Sequence, residues 1–367
     1  MYIKVSRNDF SLLNSPVTSE IGLRCSRSDS SDFRTPKKRS VIKYPLGFAA
    51  AVGLVEIVCI LLGWLYMFRV HKTSFDFDSQ GYSAIPLGFK KFSFAELKKA
   101  TNNFTIKLRK GAFGSVYKGV LADEKVVAVK RLEGVSQSEE QFWAEVSMIG
   151  RVHHMNLVRM YGFCAEGHHR LLVYEFVENG SLDKHLFTGS EPLGWKERFA
   201  VAVGTAKGLA YLHEECLEWI LHCDVKPQNI LLDGKFSPKL SDFGLVKLVD
   251  RESAFSFSKV RGTRGYVAPE WVINLPITAK ADVYSFGIVL FEIVIGRDTS
   301  DQSRNLVQWV SKKMEEGKLL EDVVDAKLNG IVDMEELETV VRTALFCVDQ
   351  DPSSRPSMSQ IVEMLSG

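Results

Sequence analysis

The chain has 367 residues, of which 46% are hydrophobic and 25% charged, and its formal net charge at pH 7 is +1. This composition is that of an ordinary globular protein with room for one large domain and additional segments, and the near-zero net charge gives no basic signal for nucleic-acid binding. The six cysteines lack metal-ligand spacing and are too few for a disulfide scaffold, which indicates reduced thiols in a cytosolic domain.

Residues 1–45 are polar and rich in serine, arginine and lysine. No apolar core follows Met1, so this start is not a signal peptide, and the composition predicts a segment that is disordered by itself. A ligand-binding role is a poor alternative, because so short a polar segment can hardly form a pocket.

Residues 46–68 are apolar except for one charged side chain, Glu56. As an α-helix this run would span roughly 34 Å, which is enough for the hydrocarbon core of a bilayer. Trp64 and Tyr66 near one end fit an interfacial aromatic belt, and Glu56 near the middle indicates a helix partner in the membrane. We therefore predict a transmembrane helix, because the polar flanks argue against a buried helix of a soluble domain.

Residues 69–103 are predicted as a linker, since glycine and proline recur there without a sustained period. The folded unit begins within its last part, at Phe92. A glycine-rich turn between two strands then follows, with Gly111 and Gly114. Glycines let backbone amides approach phosphate groups, although hairpins use the same residues.

A short β-branched strand, 126–130, ends in Lys130, and residues 139–152 read as a helix. Glu145 lies beside the apolar stripe of this helix and is predicted to face inward. An acid on the core side of a helix is costly unless it is paired, and Lys130 is its natural partner. Further along, 171–176 is a buried-strand pattern and 195–214 a long helical stretch.

Four polar residues lie between His222 and Gly244, and they are Asp224, Lys226, Asn229 and Asp242. Phosphoryl transfer requires this set: a group to orient the attacking hydroxyl, a cation near the moving phosphoryl, and two oxygen ligands for Mg²⁺. An ordinary turn holds one such residue for hydrogen bonding. Four such residues in this order, preceded by Lys130 and Glu145, are too many for the match to phosphoryl-transfer chemistry to be a coincidence.

These motifs resemble those of a plant receptor-like serine/threonine protein kinase over residues 104–367. The resemblance implies an α+β, bilobal protein kinase fold, with a β-rich N-lobe and a helical C-lobe, preceded by the single transmembrane helix. The stretches 162–167, 226–233 and 47–64 are similar to the S-domain (G-type lectin) class, whose ectodomain would be largely missing here. Residues 2–5 resemble the closing strand of a PAN module, so 1–45 would include its remnant.

The resemblance also implies roles at the site, with ATP and Mg²⁺, or Mn²⁺, as cofactors. Asp224 would orient the substrate hydroxyl, Lys226 would neutralise the transferred phosphoryl, and Asn229 and Asp242 would ligate the metal. Lys130, paired with Glu145, would hold the phosphates. The other nucleotide-binding positions implied are Lys110, Gly111, Gly114, Val116, Ala128, Glu175, Val177 and Leu231. Structural roles are implied for the gatekeeper Tyr174, for Asp282 beneath the catalytic loop, and for an Arg355–Glu270 pair.

The implied function is transfer of the ATP γ-phosphate to Ser or Thr of proteins in cell-surface signalling, with plant defence as a lead. The expected partners are ATP, protein substrates and a receptor-kinase partner in the membrane, with no nucleic acid. Basic residues crowd the N-terminal flank of 46–68, which favours a cytosolic N-terminus, whereas use of ATP requires the kinase domain in the cytosol. We expect a single-pass protein, in the plasma membrane, with a cytosolic kinase domain.

Two residues depart from the family pattern. Arg109 replaces the first glycine of the glycine-rich loop, and Cys223 replaces the arginine before Asp224, which defines a non-RD loop. They are the support for an alternative function, a pseudokinase scaffold. Because a neutral cysteine cannot pair with a phosphate group, we also expect phosphorylation between Ser253 and Thr263 to gate activity weakly.

Overall fold

The computed structural model describes part of the chain, and every structural statement below concerns that part. The described residues are 53–64, 89–111, 114–133, 137–150, 152–188, 192–216, 219–249, 262–273, 275–299, 303–318 and 322–367. The chain divides into two compact units, residues 1–76 and 77–367. The predicted segment 1–45 and most of the predicted linker lie outside the described residues.

In the first unit, residues 53–64 form helix α1. Its large apolar side chains, from Leu54 to Trp64, are exposed. No helix among the described residues is long and apolar enough to cross a membrane. The transmembrane helix expected over 46–68 is therefore not found in the described part of the chain, and both ends of that span lie outside it.

The second unit begins with a six-stranded sheet in the order β1-β5-β6-β4-β3-β2. Its neighbouring strands pair antiparallel, except that β1 runs parallel to β5. These strands are β1 (Lys90–Lys91), β2 (Lys107–Gly111), β3 (Gly114–Val120), β4 (Val126–Leu132), β5 (Met160–Glu166) and β6 (His169–Glu175). The later strands form two-stranded ladders, β7 (Trp219–Leu221) with β10 (Lys247–Val249) and β8 (Ile230–Leu232) with β9 (Pro238–Leu240).

Both faces of this sheet are covered, because β6 alternates its side chains between two cores. Leu172 and Tyr174 belong to the main core, together with Phe142 of a helix that packs behind the sheet. Leu171 and Val173 belong to a smaller core on the other face. The sheet is thus buried on both sides, as its continuous apolar strands indicate.

The smaller core depends on residues ahead of the predicted kinase boundary at 104. Phe92 and Leu97 are buried in it, with relative exposures of 2% and 0%. Ser93 caps the helix that carries Leu97 by a reciprocal capping box with Glu96. The ring of Phe89 lies against Gly150 at the end of the helix behind the sheet. The last part of the predicted linker is therefore built into the folded unit.

The remainder of the second unit is mainly helical. Two helices pack against the sheet, α2 (Phe94–Ala100) and α3 (Gln137–Ile149). The helices of the remainder are α4 (Leu182–Phe187), α5 (Trp195–Ala210), α6 (Pro269–Val272), α7 (Lys280–Ile295), α8 (Ser303–Glu315), α9 (Met334–Cys347) and α10 (Met358–Ser366). All but the first residue of α7 are buried, so this helix lies in the interior of the unit. The bilobal protein kinase fold is confirmed in this unit.

Helix α5 ends four residues before the predicted 214, and a π-helical turn, Tyr211–Glu215, follows it. Arg198 of α5 is fully buried, and each of its guanidinium nitrogens has a partner. Nη2 pairs with Asp325 Oδ2 at 2.6 Å, Nε donates to the carbonyl of Leu193, and Nη1 donates to the carbonyl of Ile293. A buried charge is tolerated only when it is paired in this way. Arg198 therefore fixes α5 against α7.

We expect substitution of Leu97 to destabilise the 77–367 unit, since its side chain is fully buried under the sheet. Leu97→Ala should lower the free energy of unfolding by about 2–4 kcal/mol, measured by urea denaturation. Lys99→Ala, on the exposed face of the same helix, serves as the control and should change it little. Equal stability of the two variants would contradict the assignment of α2 to the folded unit.

Candidate active site

A cleft of about 360 Å³ opens between the sheet and the helical part, which is a volume typical of small-molecule sites. Strands β2, β3 and β4 cover it, and the chain after β6 forms its back. The sequence-predicted residues that line it are Gly111, Gly114, Val116, Ala128, Lys130, Glu145, Tyr174, Glu175, Val177, Leu231 and Asp242. Lys110 is exposed and does not line the cleft, because its neighbours Arg109 and Gly111 take the inner face of the strand.

The centre of the cleft holds an ionic triad. Lys130 Nζ lies 3.1 Å from Glu145 Oε2 and 2.8 Å from Asp242 Oδ1. Burial alone would lower the pKa of Lys130, but the two carboxylates outweigh it and raise that pKa. Burial alone would raise the pKa of Asp242, but Lys130 outweighs it and brings that pKa down to about 2. Lys130 and Asp242 are therefore both charged at neutral pH, and the predicted Lys130–Glu145 pairing is present.

Tyr174 adds a contact to this triad that the sequence did not indicate. Its hydroxyl donates a hydrogen bond to Glu145 Oε1, and burial raises its pKa well above the ordinary value. The side chain that borders the back of the cleft thus also orients the helix α3 carboxylate.

The loop after β7 brings the predicted polar residues together. Lys226 Nζ lies 2.7 Å from Asp224 Oδ2, and Asn229 Nδ2 donates to the backbone oxygen and to Oδ2 of Asp224, both at 2.9 Å. Asp224 is 9% exposed. One carboxylate therefore organises the whole loop.

Thr263 belongs to the same cluster. Its hydroxyl donates to Asp224 Oδ1 at 2.7 Å and accepts from Lys226 Nζ at 2.5 Å. The sequence placed Thr263 only at the end of the segment 253–263, where phosphorylation was expected to gate activity weakly. Both polar functions of its hydroxyl are instead used at the centre of the loop. The three serines of that segment lie outside the described residues.

Asp282 holds the loop from below. It accepts hydrogen bonds from the backbone N–H of His222 at 2.7 Å and of Cys223 at 2.8 Å, and its Oδ2 lies 2.9 Å from His213 Nε2. Burial alone would raise the pKa of Asp282, but these contacts lower it. The expected anchoring of the loop is thus present, and so is the Arg355–Glu270 pair, with two bonds of 2.7 and 2.9 Å.

Cys223 has an unusual backbone, with φ of +63°. Its side chain is buried among Leu221, Leu245, Trp271 and Ile277. Burial raises the pKa of this thiol well above its ordinary value, so it is neutral. The residue in the usual arginine position is therefore an apolar packing group.

At Gly114 the backbone conformation and the neighbouring strand both require a glycine. Its φ is +144°, and a Cβ there would lie 2.1 Å from the backbone oxygen of Arg131. No other residue fits this position without shifting the sheet.

Arg109 was named from the sequence only as a departure from the family pattern. Its Nη1 atom donates to the backbone oxygen of Gln228 at 2.9 Å and to Asn229 Oδ1 at 3.0 Å. A side chain of the upper sheet therefore reaches the floor of the cleft. The missing glycine was the signal in the sequence, but it did not indicate where the guanidinium would go.

Asn229 Oδ1 and the Asp242 carboxylate are oxygen atoms of the kind that could hold a hard divalent cation such as Mg²⁺. Asn229 Oδ1 accepts a hydrogen bond from Arg109, and Asp242 Oδ1 accepts one from Lys130. In the described part of the chain, no group of three or more His, Cys, Asp or Glu side chains forms a separate metal site.

A second buried acid, Glu292, holds Tyr266 of the segment that follows Thr263 by a hydrogen bond. Glu292 of α7 is fully buried and accepts hydrogen bonds from the Tyr266 hydroxyl, and from the backbone N–H and hydroxyl of Thr299. Burial raises the pKa of Glu292 to about 7, and the neighbouring Asp298 adds to this, although the three hydrogen bonds oppose it.

Comparison with known proteins gives a consistent result. Residues 103–365 match the family model described as the protein kinase domain. The chain is similar to a Zea mays protein named as a receptor protein kinase, ZmPK1, with 48% identity over 88% of this chain and 42% of that protein. It is also similar to the G-type lectin S-receptor-like serine/threonine-protein kinase SD2-5 of Arabidopsis thaliana, with 48% identity over 85% of this chain and 40% of that protein. The chain thus spans about two fifths of these relatives.

The raised pKa of Glu292 predicts a pH-dependent stability. Between its unfolded value of 4.5 and about 7, the folded chain binds more protons than the unfolded chain, so this contribution to stability is present below 4.5 and is lost as pH rises through 7. In thermal or urea unfolding, the stability of the wild type relative to Glu292→Gln should fall by roughly 2 kcal/mol between pH 5 and pH 8. A difference that stays constant over this range would contradict the assignment.

Proposed function

The chain belongs to the protein kinase family, and we propose that it is a membrane-anchored, receptor-like serine/threonine kinase that transfers the γ-phosphate of ATP to Ser or Thr of proteins. The observation that carries the proposal is that the cluster of Asp224, Lys226 and Asn229 adjoins the cleft that holds the triad of Lys130, Glu145 and Asp242. Arg109, which lines this cleft, donates a hydrogen bond to Asn229 Oδ1.

The proposed roles follow from these contacts. Asp224 is held by Lys226, Asn229 and Thr263, so its carboxylate is positioned to accept the proton of an incoming hydroxyl. Lys226 lies beside it as a cation for the charge on the transferred phosphoryl. Mg²⁺, or Mn²⁺ in its place, would be held by Asn229 and Asp242 and would neutralise charge on the β- and γ-phosphates.

The triad supports a productive arrangement of the nucleotide. Lys130 is fixed by Glu145 at the inner end of the cleft, where it would hold the α- and β-phosphates. The apolar side chains of Val116, Ala128 and Leu231 line the cleft and would enclose the purine. The backbone of Glu175 and Val177 would meet the adenine edge. The side chain of Glu175 would not take part, because its Oε1 atom pairs with Lys239 Nζ at 3.0 Å.

Specificity for Ser and Thr rests on two supports. The loop has the sequence Asp-x-Lys-Pro-x-Asn, and its lysine bridges Asp224 to Thr263. The Arabidopsis relative is named as a serine/threonine kinase. A substrate hydroxyl would meet Asp224 at this bridge.

Membrane anchoring is proposed for residues 46–68. The supports are their apolar composition, the exposed apolar side chains of α1, and the receptor names of the relatives. The kinase unit would then lie in the cytosol, where ATP is available. A receptor-kinase partner in the membrane and a role in cell-surface signalling, including defence, belong to the same proposal.

Weak control by phosphorylation is supported by the packing of Cys223. A neutral thiol in an apolar cluster offers no cation to a phosphate group on the activation segment, in contrast to the arginine usual there. Asp224 is instead held by Lys226, Asn229 and Thr263, which need no phosphate.

One observation favours a second candidate, a pseudokinase scaffold. Arg109 donates a hydrogen bond to Asn229 Oδ1, the oxygen proposed for the metal. A scaffold would keep this contact and transfer no phosphate.

Labelling of a generic protein substrate from Mg²⁺–ATP distinguishes the two candidates. The wild-type 77–367 unit should label the substrate, and Asp224→Asn should reduce the rate by about 10²–10⁴-fold because the hydroxyl loses its base. Asp123→Asn, in an exposed turn, is the matched control and should label as wild type does. Equal labelling by wild type and Asp224→Asn, or none by either, would reject the kinase.

The same assay tests the activation segment. Replacing Ser253, Ser256 and Ser258 together by alanine should change the labelling rate by less than about threefold. The reason is that Cys223, which precedes Asp224, provides no positive charge to bind a phosphate group on this segment. Thr263→Ala should lower it by about tenfold or more, since two hydrogen bonds at Asp224 and Lys226 are lost, whereas Thr263→Ser should retain it. A collapse in the triple-serine variant would refute weak gating.

A further inference from the structure

Arg109 connects the two lobes of the kinase unit across the cleft. It lies on β2, opposite Val116 of β3, and therefore belongs to the roof over the nucleotide. Its guanidinium nevertheless bonds to the floor, at the backbone oxygen of Gln228 and at Asn229 Oδ1. The proposed catalytic roles make no use of this contact.

The orientation of Asn229 makes the contact specific. Its amide nitrogen donates to two oxygens of Asp224, which turns Oδ1 away from Asp224. Arg109 is the cation that this oxygen meets, at 3.0 Å. An amide oxygen has two lone pairs, so both a guanidinium and a metal ion are partners it can accept, and their charges decide whether the two can share it.

Electrostatics makes the two occupants exclusive. A Mg²⁺ ion would lie about 2.1 Å from its oxygen ligand. A guanidinium still bonded to the same oxygen would then be within a few ångströms of the ion, where two positive charges repel strongly in a partly buried cleft. The guanidinium must leave Asn229 before the metal can bind there.

We propose that Arg109 is a resident cation of the metal position, which holds Asn229 in the nucleotide-free protein and competes with nucleotide-bound Mg²⁺ for its Oδ1 atom. This inference rests on the proposed function. Its consequence is a raised Mg²⁺ requirement for nucleotide binding, together with a bond between the lobes that opens when Mg²⁺–nucleotide enters.

The test measures binding of a fluorescent, non-hydrolysable ATP analogue to the full chain in detergent micelles, as Mg²⁺ is varied. The readout is the Mg²⁺ concentration that gives half of the maximal binding. Arg109→Gly and Arg109→Met should both lower it by about fivefold to tenfold, because a charge-assisted hydrogen bond to the metal ligand is removed. Lys107→Met, an exposed cation on the same strand, should leave it unchanged.

Two variants are needed because glycine also loosens the backbone. A decrease in Arg109→Gly without one in Arg109→Met would assign the effect to the backbone and overturn the proposal. An unchanged or increased Mg²⁺ requirement in both variants would also overturn it, and an increase would show that Arg109 aids nucleotide binding instead.

A last outcome separates this inference from the function on which it rests. Failure of the wild type and of both variants to bind the analogue at saturating Mg²⁺ would contradict the proposed kinase activity, and the competition with it. Binding with the same Mg²⁺ dependence in all three proteins would contradict the role of Arg109 alone.

Discussion

The kinase unit depends first on the pairing of Lys130 with Glu145 and Asp242. These charges come from three elements, β4, α3 and the turn after β9, and a buried charge without a partner costs several kcal/mol. The triad therefore constrains helix α3, the sheet and the lower loop to one relative arrangement. Tyr174 reinforces it by donating to the same glutamate from β6. The walls of the cleft are therefore held together by charged groups at its centre.

The lower half uses the same principle with different partners. Asp282 binds two backbone N–H groups, and Arg198 and Arg355 are buried with their carboxylates. Each of these charged groups is hydrogen-bonded to protein atoms in place of water. The residues beneath the catalytic loop are therefore held in a fixed arrangement. Asp224 can then be held by its neighbours in the loop, while Cys223 packs as an apolar residue.

The sequence predicted much of this arrangement and missed particular parts of it for physical reasons. Glu145, beside the apolar stripe of its helix, could be paired with Lys130 in advance because an unpaired charge is costly there. The Arg355–Glu270 pair was implied by the family resemblance. The hydroxyl contacts of Thr263 and Tyr174 could not be predicted, since a hydroxyl forms hydrogen bonds equally with water or with a buried partner that the sequence does not identify. The contact of the Arg109 guanidinium with Gln228 and Asn229 could not be predicted, because it depends on the backbone path of β2. The strand β1 was missed because two lysines carry no apolar alternation.

That strand has a mechanical consequence. Phe89, the first described residue of this unit, rests on the end of α3, and β1 follows it, joined to the sheet edge through two residue pairs. A pulling force applied to the chain ahead of residue 89 is therefore borne by this edge and by the end of the helix that carries Glu145. Tension there would load the two β1–β5 pairs before it reached the strands that roof the cleft.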